Sequence, residues 1–232
     1  MSIWTRISEA LAAIAQGEGL SAVFERLRTP PERSVAFTIA VIALGAKMAK
    51  ADGRVTRDEV AAFRDVFQIP ASDERAAARV FNLAREDVAG FEDYASRVAS
   101  MFRTAEQPCG QDSVLCDLME GLFHIAAADG TYHPGEDAFL ARVAEIFGMD
   151  EALFRRMRAR HVPDADPYAV LGVDPGVDLA TVRAAWRAEV RATHPDRMIA
   201  RGVPVEAARL AEARLAAINA AWDSIRAERG AA

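Results

Sequence analysis

Apolar residues return at helical spacing along the whole chain, and the pattern predicts an all-α protein. Near the start, Ile3, Ile7, Leu11 and Ile14 share one helix face, with Trp4 beside them, and Pro30-Pro31 ends that stretch. From Val35 to Ala46 the sequence is apolar apart from Thr38 and Gly45. That run predicts a central helix reaching about Lys50, buried on all sides. It is too short for a membrane span, which needs about 20 apolar residues.

Local punctuation then divides the chain. Asp52-Gly53 turns it, and Thr56 with Glu59 predicts a capping box, in which side chain and backbone satisfy each other's orphan groups. Pro70 stops that helix. Helices are predicted near 73–85 and 90–102, with Val80, Phe81, Tyr94, Val98 and Phe102 as core residues. A break at Pro108-Cys109-Gly110 leads to a long apolar helix near 111–128. After the Asp129-Gly130 turn, Pro134 opens a helix that Gly148 closes. Asp150 caps the next, which runs to His161. Past Pro163, a short helix near Tyr168–Leu171 and a longer one from Leu179 to Thr193, N-capped by Asp178, are predicted. A loop over His194 to Val203 and a last helix from Pro204 to about Glu228 follow. Leu210, Leu215, Ile218, Trp222 and Ile225 should line the buried face of that helix. The expected organisation is an N-terminal helical segment (1–33), an all-helical first domain (34–162), a proline-stiffened linker (163–167) and a small second module (168–232).

Composition narrows the function. Hydrophobic residues make up 51% of 232, enough for a sizeable core, and the net charge is −6. That balance argues against general nucleic-acid binding. Nine acidic and nine basic side chains fall from Asp166 onward, so the acidity lies upstream. Cys109 and Cys116 are about 10 Å apart along a helix, too far to bond, and the expectation is two reduced, buried thiols. The N-terminal apolar face is expected to dock on the first domain; attachment to a membrane surface or partner helix is the alternative. No targeting segment is read, and cytoplasmic placement is expected.

The first domain contains a repeat. Lys47-Met48-Ala49-Lys50-Ala51-Asp52-Gly53 precedes Glu59, and His124-Ile125-Ala126-Ala127-Ala128-Asp129-Gly130 precedes Glu136, at one offset of 77 residues. Val66 and Ile69 match Val143 and Ile146 in the same register. Each unit is a helix, an Ala-Asp-Gly turn and a second helix with a Glu in its first turn. This resembles the TerB-like (tellurite-resistance) domain, an all-helical fold with a paired acidic signature, over about Ser34 to Arg160. An Asp at a helix C-terminus meets the negative end of the dipole, and a cation would compensate. Asp52, Glu59, Asp129 and Glu136 are therefore candidate ligands for a divalent cation such as Ca²⁺ or Mg²⁺, the only cofactor the sequence suggests. The competing reading makes the Asp-Gly pairs turns and the glutamates caps. His124 and His133 flank the second unit as surface or cap residues.

The second module is organised around Arg191-Ala192-Thr193-His194-Pro195-Asp196-Arg197. Pro195 ends the preceding helix and drives His194 out of the α region. Arg183, Arg187 and Arg191 recur at every fourth position, a basic stripe on one face leading to the elbow. No second base, nucleophile or metal set accompanies it, so the arrangement suits docking on an acidic surface rather than catalysis. The region from Asp166 to Arg229 resembles the J-domain of DnaJ-type co-chaperones. The likeness rests on Asp166-Pro167-Tyr168-Ala169-Val170-Leu171-Gly172-Val173, Ala185-Trp186-Arg187, His194-Pro195-Asp196 and Ile218-Asn219-Ala220-Ala221-Trp222. A chosen tripeptide arises by chance in about 1% of chains this long; four segments in order do not. One departure is Glu189, where the family carries an apolar core residue. It should lie at the edge of the buried face, or Val190 should take over the packing.

A TerB-like domain followed by a J-domain, with a longer connection over Met198 to Pro204, is similar to DjlA-type proteins. Many of those begin with a membrane anchor, which is not read here. The resemblance implies a non-enzymatic co-chaperone that docks on a DnaK-type chaperone and stimulates its ATP hydrolysis. His194, Pro195 and Asp196 would carry the activity, Arg183, Arg187 and Arg191 would steer docking, and the first domain would select a client or site. The alternative is a metal-binding or stress-response module in which the J-like part is an interaction scaffold.

Overall fold

The computed structural model describes residues 3–7, 9, 32–51, 61, 64, 66–67, 69, 74–86, 90–103, 110, 113–128, 130 and 132–230. Among them there is no strand, and the all-α expectation holds. The helices are α1 (Glu32–Ala51), α2 (Glu74–Glu86), α3 (Phe91–Phe102), α4 (Val114–Ala126), α5 (Pro134–Phe147), α6 (Glu151–His161), α7 (Pro167–Leu171), α8 (Leu179–Ala192), α9 (Pro195–Arg201) and α10 (Ala208–Gly230), with a 3₁₀ turn at Val205–Ala207.

α1 is central because it has no polar face to turn outward. Every side chain from Val35 to Ala49 is buried. Thr38 satisfies its hydroxyl by donating to the Ser34 carbonyl at 3.0 Å. α2, α3, α4 and α5 all pack on α1. α4 is the second buried axis, and apart from His124 all its residues are buried, Asp117 and Glu120 included. Ile3, Trp4 and Ile7 lie in the same core, so this part of the N-terminal face does dock on the first domain; Leu11 and Ile14 lie outside the described residues.

Local signals place the helix ends. Ser113 caps α4 by accepting from the Cys116 amide, and Asp150 caps α6 by accepting from the Leu153 amide at 2.7 Å. Gly148 closes α5 in the left-handed region, φ 72°, which costs glycine nothing. Asp178 caps α8 by accepting from the Thr181 amide at 2.7 Å. Hydrogen bonds from Thr181 hold its carboxyl below the usual range.

A second apolar cluster joins Tyr168, Val170, Leu171, Val182, Ile218, Ala221 and Ile225. Trp186 and Trp222 stack beside it at 5.3 Å, and Trp186 donates its indole N–H to Asn219 at 2.9 Å. Leu215 and Trp222 are only half-buried. Arg229 ties the end of α10 to the loop before α8, donating to the Val177 and Pro175 carbonyls.

One expectation needs correction. The segment after the elbow is not a loop: residues Pro195–Arg201 form α9. Pro195 does end α8, but at position N1 its fixed φ and missing N–H suit the start of a new helix. His194 is the N-cap of that helix, and Gly202, at φ 109°, closes it. The second module packs against the first domain. α7 packs on α6, and α9 and α10 pack on α4. Met198, Val203, Ala207, Leu210 and Ala211 belong to the core of the first domain.

Candidate functional site

The elbow stands on the surface. The side chains of His194 and Asp196 are 58% and 88% exposed. His194 is non-helical, φ −58° and ψ 130°, as the residue before a proline should be. Its Nδ1 accepts from the Asp196 amide at 3.2 Å, which directs the other ring nitrogen away from the backbone. The Asp196 carboxylate lies 3.7 Å from Nδ1, so imidazole and carboxylate project together from the start of α9. Arg183, Arg187 and Arg191 are all exposed on α8, and Arg197 extends the basic surface past the elbow. The three arginines of the stripe form no ion pair among the described residues. The six residues singled out for partner binding thus follow one another along α8 and the start of α9, with Arg183, Arg187, Arg191, His194 and Asp196 exposed. An imidazole and a carboxylate held side by side next to a cationic ridge form a surface suited to docking on a complementary one.

The acidic turns divide differently. Glu136 is buried, and its Oε2 accepts from the His133 amide at 2.9 Å, so it acts as the cap of α5. Gly130 has φ 79°, the left-handed value an Asp-Gly turn uses. Asp52, Glu59 and Asp129 lie outside the described residues. Among the described residues no group of three or more His, Cys, Asp or Glu side chains is placed to hold a metal ion. Cys116 is buried and unpaired, and burial pushes its thiol up to about 12, so it is an inert core residue; Cys109 lies outside the described residues.

Sequence reasoning missed the densest cluster of charged side chains among the described residues, a buried ionic network between the first domain and the second module. Its carboxylates are Asp117 and Glu120 on α4 and Glu189 on α8. Arg160 on α6 bridges two of them, Nη1 to Glu120 at 2.5 Å and Nη2 to Glu189 at 2.6 Å. Arg156, one turn earlier, reaches Glu189 at 3.1 Å. Arg214 on α10 lies 3.3 Å from Glu189, 3.4 Å from Glu120 and 3.7 Å from Asp117. The last two are charge contacts without an aligned hydrogen bond. Arg201, closing α9, grips Asp117 with two bonds of 3.0 and 3.1 Å. His161 faces Glu120 at 2.9 Å and stacks on Phe123 at 5.5 Å.

Glu189 is therefore not at the edge of a buried face, and Val190 takes over the apolar packing beside it, half-buried against the second cluster. Glu189 is 2% exposed and satisfied by three arginines from two other helices. Burial raises the Asp117 carboxyl to about 6, against the opposing pull of Arg201 and Arg214. At Glu120 burial is outweighed by Arg160, Arg214 and His161, which hold its carboxyl well below the usual range. One signal was visible in the sequence. Asp117 and Glu120 interrupt an otherwise apolar helix, and charged residues are almost never fully buried unless paired.

Gly172 closes α7 at φ 67°, and the Arg156 side chain lies across it. A Cβ there would fall 2.7 Å from Arg156 Cδ, so the Leu171-Gly172 step is fitted to the network as well as to its own turn.

Comparison with known proteins matches this architecture. Residues 38–159 match the family described as Tellurite resistance protein TerB. The chain is 28% identical to a co-chaperone protein DjlA of Photobacterium profundum, over 97% of this chain and 89% of the relative. It is 27% identical to a co-chaperone protein DjlA of Vibrio vulnificus over 86% of this chain and 80% of the relative. Identity to the DjlA of Escherichia coli K12 is 24%, over 99% of both chains. No solved structure matches. Among the described residues no helix is long and apolar enough to cross a membrane. With more than half its length matched by that family, the chain belongs to the TerB family, and it is DjlA-like along most of its length.

Proposed function

We propose that this protein is a non-enzymatic co-chaperone that docks on a DnaK-type chaperone and stimulates its ATP hydrolysis. The observation that carries the reading is the elbow itself: His194 and Asp196 exposed and held by the start of α9, beside an exposed ridge of Arg183, Arg187 and Arg191. Surface arginines steer and orient an acidic partner and contribute little once salt screens them, so the complex should be weak and salt-sensitive. The first domain would choose the client or location, on the cytoplasmic side where ATP is supplied. The test is single-turnover ATP hydrolysis by a DnaK-type partner with this protein or its His194→Gln variant. Stimulation should be lost in the variant, and equal stimulation by both would refute the reading.

A further inference from the structure

The helix that carries the elbow is held from behind by the first domain. One side of α9 shows His194, Asp196 and Arg197 to solvent. The other buries Met198, with Val203 following, in the first domain's core. Arg201, its last residue, joins three elements. It donates from Nε and Nη2 to the two Asp117 oxygens on α4, and from Nη2 to the Ala192 carbonyl, 3.2 Å away at the end of α8. The elbow lies between Ala192 and Arg201, so one guanidinium closes both ends of it onto α4. A two-pronged arginine–carboxylate contact fixes angle as well as distance. Asp117 is fully buried, which leaves that geometry little freedom to relax.

We propose that Asp117, acting through Arg201, is a positioning residue for the His194-Pro195-Asp196 elbow, so that the first domain sets the elbow's shape as well as its address. Glu120 and Glu189 do not share this role. Their arginines lie on α6 and α10; they hold Glu120 and, through Glu189, the last turn of α8, but none of them lies on α9. Only the activity readout rests on the co-chaperone reading; the conformational part stands without it.

The experiment uses the full chain with two readouts. Amide hydrogen exchange compares wild type with Asp117→Asn and Arg201→Met, and with Glu92→Gln as a control on an exposed pair. Exchange over residues 196–203 should quicken about fivefold or more in the first two and hold steady in the control, with residues 168–172 unchanged in all. Single-turnover ATP hydrolysis by a DnaK-type chaperone should show maximal stimulation reduced by roughly fivefold in both variants. The half-saturating concentration should stay within about twofold, because the ridge is untouched. Arg201→Lys should restore part of the maximum, since it keeps charge without the fork. Should Asp117→Asn fail to fold, Arg201→Met leaves α4 intact and decides alone. If wild type gives no stimulation, the co-chaperone reading fails and the exchange data still decide the positioning role. Unchanged exchange over 196–203, or an equal rise along the whole chain, overturns the proposal.

Discussion

Glu189 Oε2 lies 2.6 Å from Arg160 Nη2, and both side chains are at most 2% exposed. One sits in the helix leading to the elbow and the other at the end of the first domain. A buried carboxylate on α8 is thus explained by a guanidinium from outside the second module. The desolvation cost of burying both is offset only because Arg156, Arg214 and Glu120 complete the set.

Glu189→Ala should therefore destabilise the chain by about 3–5 kcal/mol, since it leaves buried arginines uncompensated. Urea unfolding measures it. Pairing the change with Arg160→Met should recover part of the loss, because removing both charges avoids leaving one unpaired. Additive losses would show that the two side chains do not act as a pair.

Stability should pass through a maximum on the acid side of neutrality. The Asp117 carboxyl, raised to about 6, holds a proton in the folded state that the unfolded chain has released; its share of stability is present at lower pH and lost as pH rises through about 6. Glu120 has the opposite sign. Its carboxyl is lowered on folding, so its share is present above the ordinary carboxylate range and lost as pH falls below it. Unfolding midpoints should be highest near about pH 4, fall between about pH 4 and 6 and level off above that, and Asp117→Asn should remove the fall. A midpoint that rises steadily to pH 8 would contradict the Asp117 assignment.

Gly172→Ala should cost about 1–2 kcal/mol from the left-handed backbone alone, and more because its Cβ collides with Arg156. With the Arg156–Glu189 contact disturbed, the change should be less severe in an Arg156→Ala background. Thermal melts of the two single variants and the double variant test that coupling.

The basic ridge should set affinity and leave stability alone. Arg187→Glu is expected to weaken binding of a DnaK-type chaperone by roughly tenfold with an unchanged melting temperature. Raising the salt from about 50 to 300 mM should erase most of the difference between variant and wild type. Surface-immobilised binding assays at both concentrations supply the comparison.

Glu136 gives a separate prediction. As a cap, its replacement by Ala should cost about 1 kcal/mol, by analogy with other caps. Millimolar Ca²⁺ or Mg²⁺ should leave the melting temperature of wild type unchanged. A rise abolished by Asp129→Asn would instead favour the cation reading of the acidic turns.

Most helix ends were legible in the sequence because they are written locally. Asp178, Asp150, Pro134 and Gly148 announce caps and stops through contacts a few residues away, and α1 is buried because it has no polar face to offer. The elbow and its arginine stripe were equally plain, since four-residue spacing on one helix fixes a shared face. α9 was not, because Pro195 reads both as a stop for one helix and as a first residue for the next, and packing of Met198 and Val203 on a distant core decided between them. Nor could the sequence reveal the network. Asp117 pairs with Arg201 across 84 positions, and Glu120 with Arg160 across 40. A charge on an apolar helix is a liability until its partner arrives from elsewhere in the chain, and only the folded arrangement of α4, α6, α8, α9 and α10 brings those partners together.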